Sequence, residues 1–260
     1  GWHMECSAMA LSILGETIDI HCGGVDNIFP HHENEIAQSE AYTGKPFVKY
    51  WVHSEFLLVD GKKMSKSLKN FYTLRDLLKL GYRGDEVRYL LMQTHYRTQC
   101  NFTLKGLDAA KSSLSRIKEF VQRVFGIEQE KEYLPLEEFI QETKKSFDQS
   151  LADDLNMPAA LASLFEFVRE VNKFIDQDLL GKRDKEKILL LLNEMNKILA
   201  VLPLEKESEA IPIDVKIALK KRDSARLEKN WELADELRNF IESYGYQVED
   251  TPHGSKIKRA

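Results

Sequence analysis

The chain has 260 residues, 43% hydrophobic and 30% charged, with a formal net charge of −5. That is the composition of an ordinary globular chain with one large core or a few smaller ones, and its slight acidity does not advertise a nucleic-acid binder, although local patches matter more than the total. It shows no apolar run long enough to span a bilayer and no signal-peptide pattern, and its three cysteines, Cys6, Cys22 and Cys100, make no disulfide framework. A cytoplasmic protein with reduced thiols is the expectation.

The opening, Gly1-Trp2-His3-Met4-Glu5-Cys6, runs at once into dense, motif-like sequence, which reads as the middle of a larger fold. Residues 1–75 look compact and mixed. Ile18 to His21 predicts a strand, and Cys22-Gly23-Gly24-Val25-Asp26 a tight turn. The two glycines would permit unusual dihedrals and a close backbone approach to a ribose, with Asp26 accepting from its hydroxyls. Pro30 is placed to open a helix containing His31 to Ser39. On that helix His31 and Glu35, four residues apart, project from one face. With Cys6 they offer three of the four donors that zinc prefers, while His32 would point elsewhere. Taken singly, each has a plainer reading: a solvated helix pair, a buried thiol, and for Trp2 a core aromatic.

Tyr50 to His53 and Phe56 to Val59 predict strands. Between the latter and a helical segment lies Lys63-Met64-Ser65-Lys66-Ser67. Two lysines among small hydroxyl residues suit a mobile loop that grips phosphate oxygens, with a solvated basic turn as the plain alternative. After Thr73 the pattern is helical to residue 245. Asp85 is a candidate cap for a helix carrying Val87 to Met92. Leu107, Ala110, Leu114, Ile117, Val121 and Val124 mark a second helix. Asn156-Met157-Pro158 opens a third, with Leu161, Leu164, Val168, Val171 and Phe174 on its apolar face, and Ile188 to Leu202 a fourth. The last three predict a three-helix bundle. Glu205 to Pro212 reads as a linker, Val215 to Tyr244 as a helical hairpin broken near Asn230, and Gly245–Val248 and Gly254–Ile257 as two short strands.

Taken together, the segments Gly1 to Met9, Gly23 to Asp26, Phe29 to Ser39 and Lys63 to Ser67 resemble the cysteinyl-tRNA synthetase family of class I enzymes. The likeness continues through Leu91-Met92-x-x-His95-Tyr96-Arg97 and Ala234-Asp235-x-x-Arg238 to Asp250-Thr251-Pro252-x-Gly254, and so spans essentially the whole chain. It implies an α/β then α architecture: the second half of a Rossmann-type catalytic domain over residues 1–75, a stem-contact-like connector over 76–104, a helical bundle over 105–204, and a small mixed α/β anticodon-recognition module over 205–260. It implies ATP-dependent ligation of L-cysteine to tRNA(Cys) through a cysteinyl-adenylate, by a monomer that uses ATP with Mg2+ and touches no membrane. Zinc would sit on Cys6, His31 and Glu35, with a further cysteine supplied from outside this chain. Lys63 and Lys66 would act in catalysis, Lys66 with Gly24 and Asp26 would bind ATP, and Trp2 and His21 would line the amino-acid pocket.

Zinc makes physical sense here. Serine differs from cysteine by one atom, which an apolar pocket separates poorly, whereas zinc takes a thiolate far more readily than a neutral hydroxyl. The family's other nucleotide signature, a His-Ile-Gly-His-type motif, does not occur in the sequence, which implies that the 260 residues alone are inactive. Two other readings stand beside this one. The first is a cysteine ligase acting on a thiol sugar. The second is a non-catalytic tRNA-binding fragment, using Lys216, Lys220, Lys221, Arg222 and Arg226, then Lys256, Lys258 and Arg259, with Trp231, Tyr244 or Tyr246 stacking on bases.

Overall fold

The structure, a computed structural model, describes residues 1–68, 70–206, 212–228, 230–251 and 254–259. It divides into two units, Gly1–Glu205 and Lys206–Ala260.

The first unit starts with helix α1 (Trp2–Leu14), then strand β1 (Ile18–Gly24), helix α2 (Glu33–Thr43) and strand β2 (Val48–Ser54). β1 and β2 pair in parallel, with Ile20 opposite Tyr50 and Gly23 opposite His53, so β1–α2–β2 is one crossover unit of an α/β sheet. The predicted turn at Cys22 is still strand: β1 runs to Gly24, and a 3-10 turn (Val25–Asn27) and a π-type turn (Ile28–His32) follow. His31 therefore sits just ahead of the regular helix, in the turn that contains Pro30.

Strand β3 (Leu57–Val59) turns back through Asp60 and Gly61 into β4 (Lys62–Lys63). Both turn residues have positive φ, 50° and 71°, the geometry for which an Asp-Gly pair is suited. β3 also pairs in parallel with β5 (Cys100–Phe102), a short strand that the helical pattern hid. Helix α3 (Leu74–Lys79) starts at a capping box in which Thr73 and Asp76 exchange backbone bonds. Helix α4 (Gly84–Met92) begins one residue before Asp85; it is the Glu86 carboxylate that accepts from the Arg83 N–H, so Asp85 is not the cap.

The bundle has four helices rather than three: α5 (Leu104–Phe125), α6 (Pro135–Ala152), α7 (Met157–Asp176) and α8 (Lys182–Leu199). The added helix is α6, whose buried side is Leu136, Ile140, Thr143 and Phe147. The predicted apolar face of α5 is buried, joined by Phe120, and Asn156 caps α7 by accepting from Ala159 N–H. α8 begins six residues before Ile188 and ends at Leu199, with Ala200 left-handed. One core unites these helices with β3, β5, α3 and α4.

The second unit holds α9 (Ile213–Leu227), α10 (Trp231–Ser243) and the antiparallel pair β6 (Tyr246–Thr251) and β7 (Gly254–Arg259), around Val215, Ala218, Ile241 and Val248. Asn230 marks the predicted break by capping α10. The linker residues 207–211 and Pro252 of the last family motif lie outside the described residues. Among the described residues no helix is long and apolar enough to cross a membrane.

Candidate functional site

Glu35 is the centre of the site. It lies in the first turn of α2 and is fully buried, an expensive place for a carboxylate without partners. Its Oε2 lies 2.6 Å from His21 Nε2, on β1. Its Oε1 lies 2.6 Å from His31 Nε2 yet makes no hydrogen bond. α1 is tied to α2 by the Ser7 hydroxyl, which donates to Gln38 Oε1 at 2.8 Å, and this brings the adjacent Cys6 close to Glu35, one turn before Gln38. The ligand atoms of Cys6, His31 and Glu35 all lie within 4.8 Å of one another. So the structure brings the three predicted donors together.

A thiol, an imidazole and a carboxylate are each ordinary zinc donors, and a buried carboxylate oxygen without a hydrogen bond is the kind of atom that a cation satisfies. The residues present fit the metal. Without it, burial and the nearby Glu35 and Glu5 carboxylates push the Cys6 thiol pKa up, opposite to what a bound cation does. His31 has its other ring nitrogen, Nδ1, 2.7 Å from His3 Nδ1, a hydrogen bond that fixes the ring and leaves Nε2 facing Glu35.

His3 was not among the predicted residues, nor were His32, Trp51 and His53. His32 does turn from Cys6, but it does not leave the site. With His21 and Glu35 it forms a second set of three donor groups within 4.8 Å, and its Nδ1 meets His53 Nε2 at 2.8 Å. Burial, and after it His21, pushes the His32 pKa down to about 4, and His53 is lowered by the same two causes. The signal available in the sequence was density: His3, His21, His31, His32 and His53 all fall in the first quarter of the chain. Trp2 is not a core aromatic. It is 69% exposed, with its ring centroid 5.1 Å from that of His31, at the mouth of the donor cluster.

The glycine pair works through space rather than dihedrals. Neither Gly23 nor Gly24 has positive φ. A Cβ on Gly23 would lie 2.5 Å from His32 Cε1, and one on Gly24 would lie 2.4 Å from Asp26 Oδ1, so the pair makes room for the histidine ring and for the Asp26 carboxylate.

Lys63 ends β4, and Lys66 lies in the exposed loop beyond it. Asn70 holds this loop: its Oδ1 accepts from Ser65 N–H at 2.8 Å, and its Nδ2 donates to the Lys63 carbonyl at 3.1 Å and the Val59 carbonyl at 3.3 Å. Met64 packs against the core below, and the Lys66 ammonium sits 5.8 Å from the Phe71 ring centroid. Among the described residues neither lysine has an ion pair or hydrogen bond to the donor cluster. In the second unit Lys216, Lys220 and Lys221 are exposed, but Arg222 is buried and donates to Ser255 Oγ at 2.8 Å, so it is no surface phosphate contact.

Residues 1–112 match the family model of the class I (C) tRNA synthetase catalytic domain, and residues 146–204 match the DALR domain. The whole chain is 53% identical to the cysteine–tRNA ligase of Protochlamydia amoebophila and 50% identical to that of Chlamydia muridarum. This chain belongs to the cysteine–tRNA ligase family. It spans 54% of the first relative's length and 56% of the second's. Among solved structures, Mycobacterium tuberculosis methionyl-tRNA synthetase in complex with methionyl-adenylate is similar with a TM-score of 0.52 at 16% identity, over 70% of this chain and 40% of that one. Agrobacterium radiobacter LeuRS, in a ternary complex with tRNA and LeuAMS, gives 0.51 at 21% identity, over 74% and 29%. At those identities the likeness speaks for the class I fold alone.

Proposed function

We propose that these residues form the thiol-selecting and ATP-loop half of a cysteine–tRNA ligase, which joins L-cysteine to tRNA(Cys) through a cysteinyl-adenylate and is inactive as the 260-residue chain alone. The observation that carries this reading is the convergence of Cys6, His31 and Glu35 around a buried carboxylate oxygen that lacks a hydrogen bond. Zinc bound there supplies affinity for the substrate thiolate over a serine hydroxyl. His3, hydrogen-bonded through Nδ1 to His31 Nδ1, orients that ring so that its Nε2 faces the metal position beside Glu35. His21, bonded to Glu35, fixes that carboxylate, and Trp2 closes the mouth over the amino acid.

Lys66 and Lys63, alongside the Mg2+ that accompanies ATP, would offset the negative charge of its phosphates while the cysteine carboxylate attacks, a reaction that needs positioning and charge more than a general base. Gly24 and Asp26 hold the ribose side of the nucleotide. Residues 76–104 act as the connector against the tRNA stem, 105–204 as the tRNA-holding bundle and 205–260 as the anticodon module. The DALR-domain match and the ligase relatives favour tRNA over a thiol sugar as acceptor. The monomer works in the cytoplasm.

Cobalt substitution tests the core of this reading. The chain loaded with Co2+ should show a thiolate-to-metal charge-transfer band that Cys6→Ser abolishes and Glu35→Gln weakens. L-Cysteine should perturb the band and L-serine should not. Equal responses to the two amino acids, or no band at all, would remove the thiol-sorting role. ATP–pyrophosphate exchange dependent on cysteine by the isolated chain would contradict its inactivity.

A further inference from the structure

Glu35 has two oxygens, and the Cys6–His31 cluster uses one of them. Oε1 lies 2.6 Å from His31 Nε2, and Oε2 lies 2.6 Å from His21 Nε2, so the carboxylate faces two sets of donors at once. The second set is His21, His32 and Glu35, whose three ligand atoms lie within 4.8 Å of one another. The sequence makes both from one stretch of chain. His31 precedes Glu35 by four residues and His32 precedes it by three, the two spacings that share a helix face.

The surroundings of the second set hold it in shape. His21 and Gly23 lie on one face of β1, paired with Trp51 and His53 of β2. Gly23 leaves the room that the His32 ring fills, since a Cβ there would lie 2.5 Å from His32 Cε1. Trp51 packs against both imidazoles, its ring centroid 4.7 Å from that of His21 and 4.8 Å from that of His32. His32 Nδ1 meets His53 Nε2 at 2.8 Å, the kind of outer contact that orients a ligating histidine. Two imidazoles and one carboxylate are a donor set that zinc takes with water in the fourth position. The plainer role for His21 is to steady a ligand of the first ion. That role needs one bond between His21 and Glu35 and gives no reason for a third donor, yet buried His32 converges on the same point.

We propose that His21, His32 and Glu35 form a second site for a divalent cation such as Zn2+, with Glu35 bridging it to the Cys6–His31 site and His53 positioning His32. An ion there replaces the direct bond between His21 Nε2 and Glu35 Oε2. Two cations that share one carboxylate repel, and the second has no thiolate, so it binds more weakly and fills once the first site is occupied. The site needs neither the Cys6 thiol nor a substrate, so its failure and the failure of the thiol-sorting role are distinguishable.

The test adds Zn2+ to the 260-residue chain and follows the ring-nitrogen chemical shifts of its histidines. The first equivalent should give the signature of a metal-bound imidazole at His31, and the second should give it at His21 and His32. His95, which belongs to neither set, should not respond. In Cys6→Ser, where the first ion loses its thiolate, His21 and His32 should still take an ion. His21→Gln should abolish the second event and keep the His31 signature. If that variant does not fold, the shifts of the unsubstituted chain decide alone. His53→Gln should weaken the second ion roughly 10–100-fold and leave the thiolate band of the cobalt-loaded first site unchanged. Saturation at one ion per chain with His21 and His32 unmoved would overturn the proposal. So would a second ion whose binding bypasses both histidines or survives His21→Gln at full affinity, and an affinity untouched by His53→Gln would overturn the positioning role.

Discussion

His32 shows how one buried side chain makes stability depend on pH. It is 4% exposed, it shares a hydrogen with His53, and Trp51 and His21 flank its ring. Burial, and then His21, lowers its pKa from 6.5 to about 4. The sign follows from proton linkage. In the unfolded chain this histidine takes up a proton near pH 6.5, while in the folded protein it resists protonation until about pH 4. Its contribution is therefore complete above 6.5 and is lost as the pH falls from 6.5 toward 4. Metal-free protein should show a falling urea midpoint over that window, reported by Trp51 fluorescence, and His32→Gln should flatten the fall. A variant with the same slope as the parent would place the effect elsewhere.

At the scale of elements, Asn70 decides how the lysine loop is held. One side chain accepts from Ser65 and donates to Lys63 and Val59, stitching the end of β4 to the end of β3. Asn70→Ala should cost about 1–3 kcal/mol, since three backbone groups lose a partner and water replaces only part of it. Amide exchange at Ser65 and Leu68 should quicken, and α5 should be unaffected; an unchanged loop would mean that Met64 alone anchors it. The elements also show where sequence patterns inform and where they do not. α5 and α7 were legible because their buried positions repeat at helical spacing on polar backgrounds. α1 was not, because its apolar residues lie all round it and only Ser7 is buried, which leaves no stripe to read. α6 breaks its stripe with Thr143, and β5 has three residues whose strand character comes from pairing with β3. In the site, the donors at Cys6, His31 and Glu35 were legible as residue types at a spacing. His3, His32 and His53 were not, because what recruits them is the register of β1 with β2 and the approach of α1 to α2.

At the scale of the whole molecule, the described residues form two cores of very unequal size. That of the first unit draws on the bundle and on β3 and β5, whereas that of the second is Val215, Ala218, Ile241 and Val248, with Leu219, Leu237, Tyr246 and Ile257 at its margin. A unit spanning residues 206–260 hides a smaller share of its surface than a larger domain does, and small domains are correspondingly marginal. Ile241 is fully buried there, and Ile117 is its counterpart in α5. Truncating either to alanine removes about 2–5 kcal/mol through lost transfer and a cavity. In a core of this size that is most of what holds the fold, while the bundle can absorb it. Ile241→Ala should therefore unfold the second unit at physiological temperature, seen as loss of amide protection over residues 215–248, with residues 107–124 still protected. Ile117→Ala should lower the melting point of the first unit without unfolding it. If instead both regions lost protection together in either variant, the two cores would be melting as one cooperative body, and the second would draw its stability from contacts beyond its own buried residues.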